Sequence, residues 1–419
     1  MKIVIIGSGL MGLASAYYLS EQGHEVRVLD RQSGPAKETS FANAGVLHPS
    51  QASPWNHPGI GQEILGWMGK EDSPFLLRPS ALPSLWRWGI GFLKNAKPER
   101  FHANLQANTV LANYTMQCMQ DMLQKHSFDY SASKLGSLKI LEDQQEMENA
   151  VESLSLFQEL GVNCTVLEPA DIFTKEPALL ESGEKLVGGI HYPDDQGGDA
   201  YQFCQQVAEL LKQNQVIFEY DTRIDAFVKS GQRIASISTS RGEYQADAFV
   251  LAAGSYSPLL VKSLKLNIPV RPVKGYSITV SMDDWTQTPR MPVIDETSHV
   301  AITPLGKQLR AAGTAELAGY DTRINQGRVK MIIDQVINRY PAAKTSIAAG
   351  KLSSWAGLRP SSVDGVPIIG GSPYGNLFIN TGHGHLGWSF AMGSGKLLAD
   401  LISARPTDID PQAYRYARF

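Results

Sequence analysis

The chain opens with apolar and polar positions whose period changes twice within thirty residues. Lys2 to Ile6 is a β-branched apolar run of the kind found in strands buried on both faces of a parallel sheet. Leu10, Leu13, Ala14, Tyr17 and Tyr18 then follow i, i+3, i+4, i+7, i+8, which predicts a helix that Gly23 ends. Glu25 to Leu29 restores a strand pattern and closes on Asp30. One lysine, an apolar run and the small triplet Ala14-Ser15-Ala16 also suit a secretory signal peptide. A secretory segment has no reason to carry a helical stripe followed by a second strand, so the β-α-β reading prevails. The expectation is a mature N-terminus at or near Met1 and a cytoplasmic protein.

The turn joining the first strand to the helix is Gly7-Ser8-Gly9-Leu10-Met11-Gly12. Gly7 permits a tight turn, Gly9 lets the backbone approach a pyrophosphate, and Gly12 lets the helix pack on the strand. The anion would sit on unpaired N–H groups of the helix start, around Leu10 and Met11. Asp30 lies 23 residues after Gly7, close to the spacing at which a carboxylate meets ribose hydroxyls. This is a dinucleotide-binding start, and by itself it fits NAD or FAD.

Two later patterns bear on that choice. Glu38 to Gly45 is a small, polar, glycine-ended loop, without the helix an NAD domain would continue with; it holds Ser40, Asn43 and Ala44. Near the C-terminus a strand, Asn376 to Asn380, runs into Thr381-Gly382-His383-Gly384-His385-Leu386-Gly387-Trp388, and a helix is predicted from about Ser389 to Leu401. A second helix start offers a partial positive charge suited to the electron-rich edge of a reduced flavin. A third apolar strand, Ala248 to Ala253, ends at Gly254. Such strand ends at the start, middle and end of the chain predict a discontinuous α/β domain of Rossmann type, residues 1–60, 191–262 and 350–419. Residues 61–190 and 263–349 would form an α+β substrate domain built on an antiparallel sheet.

Composition narrows the function classes. A chain of 419 residues predicts about two domains, and 43% apolar with 19% charged residues is ordinary for a globular enzyme. A net charge of -3 gives no sign of nucleic-acid binding. Cys118, Cys164 and Cys204 are odd in number and lack metal-ligand spacing, so neither a disulfide framework nor a metal site is expected. No apolar run reaches the roughly 18 residues of a spanning helix.

The stretches GSGLMGLASAYYL, ETSFANAG, FVLAAGSYS, VRPVKGYSI, WAGLRPSSVDGVPIIG and NTGHGHLGWSFAMGSG occur in this order from end to end. In them the chain resembles the D-amino-acid oxidase superfamily of FAD-dependent oxidoreductases, in its bacterial amino-acid dehydrogenase branch. The resemblance implies hydride transfer from Cα of a D-amino acid to flavin N5, release of a 2-oxo acid and ammonia, and electrons passed to a quinone-type acceptor. It implies that Asp30 binds the adenosine ribose, that Ile224 meets the adenine through its backbone, that Asn43 to Gly45 lie over the isoalloxazine, and that Gly382 to Gly387 cap its edge. Leu10, Met11, Arg31, Ser40, Gly254, Gly384, Leu386, Gly387 and Trp388 complete the expected cofactor set. With no cysteine beyond residue 204 to form a thioether, FAD is expected to bind noncovalently.

Arg359, in GLRP, is the expected carboxylate anchor, because a planar guanidinium grips both oxygens at once. Tyr276 would add a hydroxyl to that carboxylate, or belong to the core. His48 would help remove the amine proton, or be a satisfied loop histidine; His383 and His385 read as structural. From Gly59 to Lys97, Trp67, Trp86 and Trp88 stand among Lys70, Arg78, Arg87 and Lys94, which fits a peripheral membrane surface on the cytoplasmic side or an inward-packed lid. Rival readings are a secondary-amine enzyme of the same superfamily (sarcosine, proline or hydroxyproline), an oxidase that reduces O2, and a noncatalytic FAD relay subunit.

Overall fold

The computed structural model describes residues 1–419. Strand Lys2–Ile6 pairs in parallel with Glu25–Leu29 on one side and Ala248–Leu251 on the other. The six-stranded sheet runs Ile368–Gly371, Leu377–Thr381, Ala248–Leu251, Lys2–Ile6, Glu25–Leu29, Ile217–Glu219. Only the Ile368–Gly371 edge is antiparallel. Three segments far apart in sequence therefore supply one sheet.

Helices Leu10–Glu21, Pro98–Lys125, Ala200–Gln213 and Gly387–Ile402 bury one face of this sheet in a core of 43 residues. Helix Leu10–Glu21 is buried nearly all round rather than along the single stripe its sequence shows, because the sheet lies on one side and Gly387–Ile402 on the other. The opposite face is covered by a three-stranded antiparallel layer, Ile224–Ser230, Arg233–Thr239 and Gly242–Tyr244. Each buried Ile, Leu or Val here contributes about 1.5–3 kcal/mol relative to exposure.

The second sheet has nine strands in the order Leu352–Ser362, Val270–Ser281, Gln308–Leu317, Val300–Leu305, Val293–Asp295, Ser137–Leu141, Gly188–Tyr192, Thr165–Leu167, with Phe75–Leu77 added to Gln308–Leu317. Pairing is antiparallel except at Val293–Asp295 with Ser137–Leu141 and at Phe75–Leu77. Helix Gln326–Arg339 packs on its outer face.

Two domain boundaries expected from sequence need correction. Leu352–Ser362 sits in the nine-stranded sheet, its whole length paired with Val270–Ser281, not with the nucleotide-type sheet. Pro98–Lys125 packs on the nucleotide side, where Leu111, Met119 and Met122 join the core against Gly387–Ile402. Its apolar residues show which positions are buried, and nothing in them says against which domain.

Candidate active site

A cavity of about 750 Å³ runs between the two sheets. At one end is the first glycine turn. Gly7 has φ +105, and a Cβ there would lie 2.6 Å from the Ala252 carbonyl oxygen; a Cβ on Gly12 would lie 1.8 Å from the Gly7 carbonyl oxygen. No other residue fits either place, and the helix start is thereby pressed against the strand ends. Leu10 N–H donates to Ser40 Oγ at 3.3 Å, while the N–H groups of Gly9 and Met11 have no acceptor within the protein. Unpaired donors at the start of a twelve-residue helix form an anion cradle.

Asp30 is held in place by Ser8 N–H at 2.7 Å, Ser8 Oγ at 2.6 Å and Gln32 N–H at 2.8 Å. Three donors leave the carboxylate about one further acceptor position for a ribose hydroxyl. Ile224 and Gly254 line the same end of the cavity. Arg31 lies beside it, pairing with Glu38 at 2.5 Å and lying 3.8 Å over the Tyr256 ring.

The middle of the cavity is floored by the loop that includes Asn43 and Ala44. Its carbonyls are turned into the nine-stranded sheet: Ser277 Oγ donates to Ala42 O at 2.8 Å, Arg310 Nη1 to Asn43 O at 3.2 Å and Thr303 Oγ1 to Ala44 O at 2.8 Å. The Asn43 and Ala44 N–H groups are left without protein acceptors and line the cavity. Across it lie Gly384, Gly387 and Trp388 at the start of helix Gly387–Ile402. A long cavity with an anion cradle, a carboxylate at one end and two sets of free backbone donors at the other fits the polarity of FAD.

Arg359, the expected carboxylate anchor, also lines the cavity. Its Nη1 donates to Thr314 O at 2.7 Å, and it makes no ion pair. Burial with no acid beside it lowers its pKa to about 10, so it stays charged at neutral pH. The guanidinium lies over Gly275, where a Cβ would be 2.3 Å from its Cζ. Opposite Gly275 the pairing is irregular: Lys274 faces Glu316 and Tyr276 faces Gly313, so Thr314 and Ala315 form a β-bulge. Thr314 has φ +58, a strained conformation for a β-branched residue. Its carbonyl is thereby presented to Arg359. Trp55 completes the surround, its ring 5.6 Å from the guanidinium and stacked on His385 at 4.6 Å.

Of the other expected residues, Tyr276 donates its hydroxyl proton to Glu316, which also accepts from Arg78 Nε at 2.7 Å and pairs with Lys274 at 3.2 Å. Burial would raise Glu316, but these donors outweigh it and hold the carboxyl below its ordinary range; burial and Glu316 together push the Tyr276 phenol well up. The Tyr276 proton is therefore not free for a substrate carboxylate. His48 lines the cavity, its pKa lowered to about 4 by burial, with Nδ1 3.4 Å from Ser389 Oγ. His385 is held well below its ordinary value by burial, with His48 and Arg359 adding to the effect. Both imidazoles are neutral at physiological pH. Gly12, Gly45 and Leu386 do not reach the cavity; Gly45 packs on Gly198 and the Leu386 side chain lies in the core.

The tryptophans of 59–97 separate. Trp67 lines the cavity and Trp88 is buried on Phe92, whereas Trp86 is 57% exposed. Thr314, Trp55 and Glu316 were not singled out in the sequence. A glycine within the strand pattern at Gly275 was the available sign of a close approach.

The model of the DAO family, FAD dependent oxidoreductase, matches residues 2–401. The chain belongs to that family. FAD is its cofactor. The chain is 42% identical over 419 residues, all of both chains, to D-amino acid dehydrogenase of Granulibacter bethesdensis. It is 42% identical over 403 residues to the Vibrio cholerae protein of that name, covering 96% and 95% of the two chains. Among solved structures, glycine oxidase from Geobacillus kaustophilus superposes with a TM-score of 0.78 at 19% identity, covering 100% of this chain and 98% of that one. L-proline dehydrogenase from P. horikoshii gives 0.77 at 18%, covering 100% and 97%. These two likenesses establish the fold.

Proposed function

We propose that this protein oxidises D-amino acids to imino acids, which water converts to 2-oxo acids and ammonia, the activity named in its relatives at 42% identity. The observation that carries the reading is the cavity-lining Arg359 guanidinium, which has no acidic partner and lies beside the flavin-type loops. When bound, FAD supplies the acceptor for hydride leaving the substrate Cα. With Nη1 engaged by Thr314, the remaining donors of Arg359 take the substrate carboxylate. The resulting carboxylate–guanidinium pair fixes Cα in the cavity.

The same environment acts on the amine. Burial and the neighbouring cation both disfavour an ammonium group, so the amine becomes neutral without a dedicated base. His48 and His385 add no positive charge and wall the site against water. We assign carboxylate binding to Arg359 without help from Tyr276, which positions the strand through Glu316. Asp30 and Ile224 take the adenosine, Gly7 to Met11 the pyrophosphate, and Asn43, Ala44, Gly384, Gly387 and Trp388 the flavin. Binding is noncovalent with respect to cysteine, since Cys118, Cys164 and Cys204 all lie off the cavity.

For the electron exit we propose a quinone-type acceptor at a membrane surface. No helix is long and apolar enough to cross a membrane. Helix Leu82–Asn95 has two apolar faces: Leu85, Trp88 and Phe92 point inward, while Leu82, Trp86, Ile90 and Leu93 are exposed, with Arg87 and Lys94 among them. Aromatic and basic residues on one surface suit lipid headgroups. Trp86→Ser should weaken pelleting with anionic vesicles and spare turnover with a soluble dye; equal pelleting would contradict the docking face. The function itself is tested with purified protein and an artificial acceptor. D-amino acids should be oxidised and their L-enantiomers and sarcosine should not, and the reverse preference would contradict it.

A further inference from the structure

One part of the cavity is accounted for neither by the cofactor nor by the carboxylate anchor. Next to Arg359 the wall is formed by Trp55, Ile64, Trp67, Phe75 and Phe92, all of which line the cavity and pack against one apolar cluster. Their distance from the anchor follows from the backbone. Thr314 O accepts from Arg359, and the next residue, Ala315, pairs with Phe75. Trp67 stands 6.4 Å from the Phe75 ring, and Trp55 stands 5.6 Å from the guanidinium on the other side.

The wall is fixed, not a loose flap. Fully buried Arg328 donates to the carbonyls of Glu71 at 3.1 Å, Pro74 at 3.2 Å and Ala315 at 3.1 Å, and also to that of Ser73. One guanidinium thus ties the segment preceding Phe75 to the strand that carries Thr314. The ionisable groups that line the cavity from helix Ile60–Trp67 and its approach are Glu63 and His57, both more than a third exposed and 3.7 Å from each other. Beyond these two solvent-exposed groups the wall is aromatic and aliphatic, and a charged side chain seated against it would lose hydration without compensating hydrogen bonds.

We propose that this pouch receives the substrate side chain and selects D-amino acids with large uncharged side chains, aromatic or branched aliphatic, over D-alanine and over charged D-amino acids. The inference rests on the carboxylate reading of Arg359 above. In an apolar pocket one methylene discriminates by roughly 10-fold or more, so D-leucine should exceed D-alanine in kcat/KM by on the order of 10²-fold.

The test uses the FAD-loaded enzyme with a saturating artificial acceptor. D-phenylalanine, D-leucine and D-methionine should lead D-alanine, D-lysine and D-glutamate; D-alanine or a charged substrate in the lead would overturn the proposal. Phe75→Ala and Ile64→Ala, at partly buried positions, should each lower the D-phenylalanine to D-alanine ratio by about 10-fold or more. An unchanged ratio in both would also overturn it. Calorimetric titration with phenylacetate and acetate supplies a readout without turnover. Phenylacetate should bind on the order of 10²-fold more tightly, whereas equal affinities would exclude the pouch. If no D-amino acid is oxidised, the functional reading fails and this titration alone decides whether the pouch takes apolar groups beside a carboxylate. If the space serves the acceptor's ring instead, substrate size will not matter and a quinone analogue will compete with phenylacetate.

Discussion

The guanidinium of Arg359 donates to the main-chain carbonyl of Thr314 at 2.7 Å, reaching from one strand to another across the position where Gly275 has no side chain. A bulge at Thr314 and a glycine at 275 together make room for a half-buried cation with no acidic side chain beside it. A guanidinium that faces the cavity with donors not used by the protein is the basis for reading the site as a carboxylate-binding one.

The space over Gly275 gives the sharpest geometric prediction. A Cβ at this position would lie 2.3–2.5 Å from three guanidinium atoms, so Gly275→Ala must displace Arg359. Steady-state kinetics should show kcat/KM reduced by about 10²-fold, as expected for a misplaced reacting group, with FAD content unchanged. Wild-type kinetics would mean that the anchor does not need its present seat.

His48 should not shape the pH profile of catalysis. With its pKa lowered to about 4 by burial, the imidazole is neutral throughout the neutral range, and no limb near the ordinary histidine value should come from it. His48→Gln should change kcat/KM by less than about 10-fold and leave the acid limb where it is, because general-base loss would cost 10²-fold or more. A shifted limb, read from kcat/KM against pH, would restore His48 as a base.

Asp195 should shape the stability profile instead. Burial raises its pKa to about 7, against hydrogen bonds from Ser137 Oγ and Ser50 Oγ, each at 2.6 Å, that favour the ionised form. The folded state therefore holds a proton that the unfolded chain releases near 3.8, the ordinary aspartate value. Between these values the native state binds more protons, so this carboxyl's contribution to stability falls as pH rises. Relative to wild type, Asp195→Asn should gain about 2 kcal/mol between about pH 5 and pH 8, measured by denaturant unfolding. A difference independent of pH would contradict the assignment.

What could be read from the sequence follows the range of the interactions involved. Lys2–Ile6 and Glu25–Leu29 have the bounds that their apolar runs predict, and the C-terminal helix starts at Gly387, two residues before the predicted Ser389. Those elements are specified by neighbours in the chain. Arg359 and the Asn43–Ala44 loop, singled out from local motifs, both line the cavity. The engagement of Tyr276 by Glu316 was not readable in this way, since it depends on a register between strands 40 residues apart. Trp55 carried no local sign of its place beside Arg359. The three tryptophans of the 59–97 segment looked alike in sequence, yet Trp86 points outward from the helix whose other face buries Trp88.

The central claim is that Arg359 holds the carboxylate of a D-amino acid. The most direct measurement is the kinetics of Arg359→Lys and Arg359→Ala against wild type, using a D-amino acid and an artificial acceptor, with FAD content determined on the same samples. The account predicts normal FAD content, a raised KM and kcat/KM lowered by about 10²-fold or more in Arg359→Ala, and only partial recovery in Arg359→Lys, which keeps the charge but loses the planar fork. Wild-type kinetics in Arg359→Ala would contradict it.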